Sequence, residues 1–131
     1  NPMRKLILLL LFVPLVSFGQ GPTTYYYDKY LKTGDCEDLY TYLLEGRRID
    51  TSYFTSNESS AISEITWRRN GYKTYAIVKF QGDRYTDRIY IYGGWTDSTS
   101  DMQKFINIFE KSDSKGTFFN QYIRQEKVNC N

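Results

Sequence analysis

Residues 62–80 read ISEITWRRNGYKTYAIVKF. β-Branched and aromatic side chains fill residues 62–67 and 72–80, and Arg69-Asn70-Gly71-Tyr72 stands between them. Those residue types suit pleated strands, and Asn-Gly suits the positive backbone angles of a tight hairpin. Gln81-Gly82-Asp83 supplies a second turn, and residues 85–92 a third strand. The stretch therefore predicts a three-stranded antiparallel meander. On its last strand Ile89 and Ile91 alternate with Arg88, Tyr90 and Tyr92, so one face is expected on a core and the other partly wet.

After Gly93-Gly94 the period changes. Ser100 and Gln103 form a capping-box pattern ahead of Met102, Phe105, Ile106 and Phe109, an apolar stripe at helical spacing that ends near Lys111. A second short helix is expected from about Thr117, with Phe118, Phe119, Tyr122 and Ile123 on one face. Residues 112–116 then form the corner between the two, with Gly116 taking a left-handed helix exit. Ser114, Lys115 and Gly116 lie close together, as in a phosphate loop, but that loop must follow a strand and end in Lys-Ser or Lys-Thr. Here a helix precedes it, so Lys115 reads as a solvated lysine.

Toward the amino terminus, Asp35 can cap a helix in which Cys36, Leu39, Tyr40, Leu43 and Leu44 recur, with Gly46 as its stop. A strand pair over residues 39–54 is the alternative, because Tyr40, Tyr42 and Leu44 also alternate. Residues 23–30, TTYYYDKY, suit an added edge strand or an arm, and residues 52–60 a linker. Asn57-Glu58-Ser59 matches a glycosylation sequon that matters only in a eukaryotic secretory pathway.

The chain opens with Asn1-Pro2 upstream of Met3-Arg4-Lys5, an apolar block at residues 6–16 and a small-x-small ending at Ser17 and Gly19. This is the pattern of a secretory signal peptide cleaved before Gln20. The block is 11 residues long and holds Pro14, whereas a span needs ~20 apolar residues, so no stable membrane span is expected in the mature chain. The 112 residues from Gln20 suffice for one core. Arg4 and Lys5 leave with the leader, so 17 basic residues become 15 against 15 acidic ones. Zero net charge does not favour nucleic acid. Cys36 and Cys130 are the two cysteines, and an oxidising compartment would let them bridge.

The run from Phe105 to Asn120, continuing to Ile123-Arg124, resembles the closing half of the KTSC domain, a small module found at the end of some lysyl-tRNA synthetases. Ser114, Gly116, Phe118, Phe119, Asn120 and Ile123 match its closing motif. Ser59-Ser60 with Ile62 and Ile65 resemble its opening, and Tyr90-Ile91-Tyr92 its tyrosine pair, although Tyr85 lies closer to the family's usual distance from Gly82. Gly93-Gly94-Trp95 stands where the family has Val-Pro. The resemblance covers residues 59–127 and implies strands followed by helix. It brings no established activity, and RNA binding enters through the fusion to a synthetase.

The fold expected is α+β: the three-stranded meander and two C-terminal helices over residues 59–131, with a helical or hairpin extension at residues 20–58. The chain has no histidine, which removes Ser-His-Asp catalysis and histidine metal sites. Asp83 with Asp87, and Asp97 with Asp101, are acid pairs in turns and helix starts, where aspartate is common. The function expected is a secreted or periplasmic non-enzymatic binding domain, without cofactor or metal, whose partner is an envelope protein or glycan. Arg68, Arg88, Tyr90 and Tyr92 are the candidate contacts, since exposed Tyr and Arg favour recognition. RNA stacking on the same face is the alternative, and so is packing of these tyrosines under the amino-terminal segment with no ligand.

Overall fold

The computed structural model describes residues 24–82 and 90–130. The signal peptide and the start at Gln20 lie outside the described residues. So do Asp83, Tyr85, Asp87, Arg88 and Ile89.

The element order is α1 (Tyr25–Thr33), α2 (Cys36–Glu45), β1 (Arg47–Tyr53), β2 (Ile62–Asn70), β3 (Lys73–Phe80), β4 (Tyr90–Trp95), α3 (Thr99–Lys111) and α4 (Lys115–Phe118). A π turn (Phe119–Ile123) and a 3-10 turn (Arg124–Glu126) continue from α4. The α+β class and the antiparallel meander are as expected, but the sheet has four strands, in the order β1-β2-β3-β4. The extension is neither purely helical nor a hairpin, because it supplies two helices and the edge strand β1. A register shift between Arg48 and Asp50 breaks the alternation that would have revealed this strand. The aromatic run at residues 25–30 is helix, not strand or arm, and residues 52 and 53 belong to β1, not to a linker.

Asn70 pairs with Lys73, so the hairpin loop is Gly71-Tyr72 rather than Asn-Gly. Gly71 takes φ +66 and no described non-glycine residue has a positive φ, which is the glycine-first type of tight turn. Asn70 instead ends the strand, and its Nδ2 donates to the Tyr42 carbonyl at 2.7 Å. Strand β4 does not stop at Tyr92. It runs through Gly93 and Gly94, at φ +111 and +94, opposite a register shift between Thr74 and Tyr75. A Cβ on Gly93 would stand 2.9 Å from the Thr74 carbonyl oxygen.

Both faces of the sheet are covered. On one, Ile62, Ile65, Trp67, Ala76, Val78 and Tyr92 meet Met102, Ile106, Phe109, Phe119 and Ile123 of the C-terminal helices. On the other, Tyr75 and Ile91 meet Cys36, Leu39, Tyr42 and Leu43 of α2, with tyrosines of α1 packed around them. The expected wet face is therefore a second core, and the domain has three layers. One helical layer cannot cover a sheet whose strands carry apolar residues on both sides.

Caps and corners refine the expectation. Asp35 does cap α2, accepting from the Glu37 N–H at 2.9 Å. The cap of α3 is Ser98, which accepts from the Asp101 N–H at 3.2 Å, not Ser100, because the helix begins a few residues ahead of its apolar stripe. Ser112 leaves α3 in an extended conformation, at φ −67 and ψ 144. Gly116 lies inside α4 and is not among the positive-φ glycines, so it is not a left-handed exit.

After the 3-10 turn the tail returns along β4, with Lys127 bridging Tyr92 and the Val128 N–H donating to the Ile91 carbonyl at 2.9 Å. A disulfide joins Cys130 to Cys36, with 5.3 Å between Cα atoms and 94 residues of sequence separation. It fits an oxidising compartment. No helix among the described residues is long and apolar enough to cross a membrane.

Candidate ligand groove

The structure separates the four residues read as one sheet-face platform. Arg68 points to the α2 layer, where its Nε donates to the Leu43 carbonyl at 2.8 Å and its Nη2 to the carbonyls of Leu44 and Gly46, each at 3.3 Å. It completes the helix end. Tyr90 is half-buried and meets Phe80 edge to face at 4.9 Å. Tyr92 is buried against Phe119 at 5.1 Å, with its phenol pushed up by burial. These two tyrosines pack in the opposite layer from Arg68, and Arg88 lies outside the described residues.

The closing stretch is architectural. Ser114 caps α4 by accepting from the Thr117 N–H at 3.3 Å. Phe118 lies 5.2 Å from Phe109 and 5.5 Å from Phe105 between ring centroids. Phe119 is core, Gly116 is half-buried and Asn120 is exposed. Lys115 is not simply solvated: it is half-buried, donates to the Ser112 carbonyl at 3.3 Å and lies 5.8 Å over the Phe54 ring.

A different constellation forms where α1 crosses the sheet. The Gly71-Tyr72 turn places Lys73 at the start of β3, and the strand period carries Tyr75 to the same face. The turn is pinned by Arg69, whose Nη2 donates to the Tyr72 carbonyl at 3.0 Å. From α2 comes Tyr42, and α1 contributes Tyr27 and Tyr30. Tyr27 is the hub, with its ring 5.1 Å from that of Tyr42 and 6.2 Å from that of Tyr30. Lys73 Nζ donates to the Tyr27 hydroxyl at 3.4 Å and stands 5.9 Å and 5.6 Å over the rings of Tyr27 and Tyr72.

Two depressions meet at Tyr27, Lys73 and Tyr75. One, of 260 Å³, is also lined by Thr24, Tyr42, Asn70, Gly71 and Tyr72. The other, of 460 Å³, runs past Gly93 and Gly94 to the tail at Lys127 and Val128. Burial raises the phenols of Tyr30, Tyr42 and Tyr75, that of Tyr75 most, and neighbouring tyrosines act in the same direction. The bond to Tyr27 raises Lys73. The smaller depression therefore holds one lysine, Lys73, among tyrosines. The ion pair found among the described residues is Lys29 with Asp38, at 3.5 Å, so Lys73 has no carboxylate partner there.

A third depression, of 260 Å³, lies between β1 and α3 and includes Asp50, Ser52, Glu58, Glu110 and Lys115. Ser52 Oγ donates to Glu110 Oε1 at 2.5 Å. Burial raises the Glu110 carboxyl, the adjacent Asp50 adds to this, and Ser52 and Lys115 oppose it. Lys115 stands there with three carboxylates, those of Asp50, Glu58 and Glu110, so the depression is net acidic.

The groove could not be read from the sequence because Lys73 and Tyr27 are 46 residues apart. The local signal was Tyr72-Lys73 followed by Tyr75, a lysine set among tyrosines at a strand start. No family model, no curated protein and no solved structure matches the chain.

Proposed function

We propose that this chain is an exported, non-enzymatic binding domain that acts in the cell envelope or outside the cell, and that its ligand occupies the groove around Lys73. The observation that carries this reading is the half-buried Lys73 ammonium, without a carboxylate partner among the described residues, in a concave site walled by tyrosines. Few convergent polar groups in an otherwise aromatic cavity is the general character of a binding site. The proposal includes kinship with KTSC domains, supported by the order of meander, α3 and the Ser114 to Asn120 stretch.

RNA is the second reading, since tyrosines can stack bases. The charge of the groove favours it less. Lys73 is the one cation of the smaller depression, and in the larger one Lys127 is matched by Glu126. A nucleic-acid track needs several cations for successive phosphates.

The test is a binding screen with the oxidised chain against neutral and acidic oligosaccharides, acidic peptides and poly-uridylate, repeated with Tyr27→Ala and Tyr75→Leu. Binding of any one class that both variants weaken supports the groove. Binding that neither variant changes places the ligand elsewhere and overturns it.

A further inference from the structure

Resting on that reading of the groove, we infer that its ligand is an acidic oligosaccharide, with the carboxylate of one uronate unit meeting Lys73 Nζ and the sugar rings lying against the tyrosines. Four features of the site converge on this chemistry. First, the ammonium uses one donor on the Tyr27 hydroxyl at 3.4 Å, and a lysine ammonium has three. The remaining donors are open to an anionic oxygen, and charge-assisted bonds are the strong ones.

Second, the anion should carry a single charge per unit. Lys73 stands as the sole cation of the smaller depression, and Lys127 and Glu126 offset each other in the larger. A phosphate chain would leave most of its charge unmatched.

Third, the walls are largely tyrosine side chains, with Tyr72 the most exposed of them. Tyr27, Tyr42, Tyr72 and Tyr75 line the smaller depression, and Tyr30 joins Tyr27 and Tyr75 in the larger. A phenol presents an apolar face and a group that both donates and accepts. A pyranose has the complementary surface, with C–H groups on its faces and hydroxyls around its rim. An acidic peptide would supply the carboxylate but brings backbone amides that need in-plane partners instead of ring faces.

Fourth, the site is elongated and largely fixed. Two depressions of 260 and 460 Å³ meet at Tyr27, Lys73 and Tyr75, which suits linked rings better than one small anion. Tyr42 and Tyr75 are buried in the α2 layer, Asn70 ties α2 to the turn, and the disulfide holds the tail wall to α2. Preformed walls lower the ordering cost of binding.

The experiment is calorimetric titration of the oxidised chain with galacturonate, glucuronate and mannuronate oligosaccharides, each beside its carboxyl-reduced neutral counterpart. An acidic peptide and poly-uridylate serve as the other arms. At least one uronate series should bind, and carboxyl reduction should weaken it by about tenfold or more, as loss of a charged hydrogen bond would. Lys73→Gln should impose the same loss on the uronate and remove the difference between the acidic and neutral forms. Lys104→Gln, on the exposed side of α3, should leave both unchanged. Circular dichroism of Lys73→Gln checks that the variant is folded, and Lys73→Arg should keep a preference for acid.

Equal binding of the acidic and neutral forms, lost in Tyr27→Ala, would overturn the uronate assignment and leave the groove standing. Preferential binding of the peptide or of poly-uridylate in the groove would do the same. Absence of any groove-dependent binding across all arms would overturn both.

Discussion

Arg68 was a candidate contact by residue type, and its surroundings assign it a stabilising task that can be measured. Arg68→Met keeps the apolar stem and removes the guanidinium. One bond at 2.8 Å to the Leu43 carbonyl is lost, together with two weaker ones at 3.3 Å to Leu44 and Gly46. A hydrogen bond to a charged group contributes about 1.5–3 kcal/mol. Arg68 is half-exposed, so water will recover part of that, which favours the lower end. Loss of a cation beside a helix C-terminus adds about 0.3–1 kcal/mol. The sum is about 2–3 kcal/mol, or a fall of roughly 10–15 °C in Tm for a domain of this size. Arg68→Lys should recover only part, because a single ammonium nitrogen cannot take the places of both Nε and Nη2. Thermal unfolding followed by circular dichroism, with oligosaccharide binding measured below the transition, reads both roles. An unchanged Tm for Arg68→Met, with binding lost, would refute the capping role and restore Arg68 as a ligand contact.

Phe119→Ala should cost about 3–5 kcal/mol in chemical denaturation, because its ring is buried between Tyr92 and Phe80; a loss below about 1 kcal/mol would remove it from the core. Gly116→Ala should raise stability by about 0.5–1 kcal/mol, since Gly116 is helical and an added Cβ meets nothing within 4 Å. Destabilisation there would restore the left-handed exit. Glu110 has its folded pKa raised by burial and by Asp50, so its favourable contribution is present below its unfolded value, about 4.3, and is lost as pH rises through the folded value. Wild-type stability should thus decline over that window. Glu110→Gln should flatten that part of the profile while keeping an acceptor for Ser52, and an unaltered profile would count against the raised pKa.

The meander was legible because the strand period and the turn residues act locally: Trp67, Ala76 and Val78 fall where alternation puts them. The cap at Asp35 was legible for the same reason. What escaped depends on partners distant in sequence. Tyr25 to Thr33 has tyrosines that suit a strand as well as a helix, contains no fully buried residue, and is held as a helix against β3 and α2. The edge strand β1 is polar and bulged, so its membership of the sheet is decided by pairing with Thr66 and Trp67. Arg68 and Tyr92 lie on strands as expected, yet burial of both sheet faces turns them from surface contacts into supports. Lys73 drew no notice because its significance comes from Tyr27 and Tyr42, which the three-layer packing brings to it.

The most direct measurement is a nuclear magnetic resonance titration of the oxidised chain, labelled in tyrosine rings and lysine side chains, with the uronate oligosaccharide that binds best. Shifts should concentrate on Tyr27, Tyr42, Tyr72, Tyr75 and the Lys73 methylene groups next to Nζ, while Tyr53 and Tyr122, both exposed elsewhere, stay still. Shifts centred on Tyr53 and Lys115, or on Tyr90 with Lys73 unmoved, would contradict the assignment of the groove.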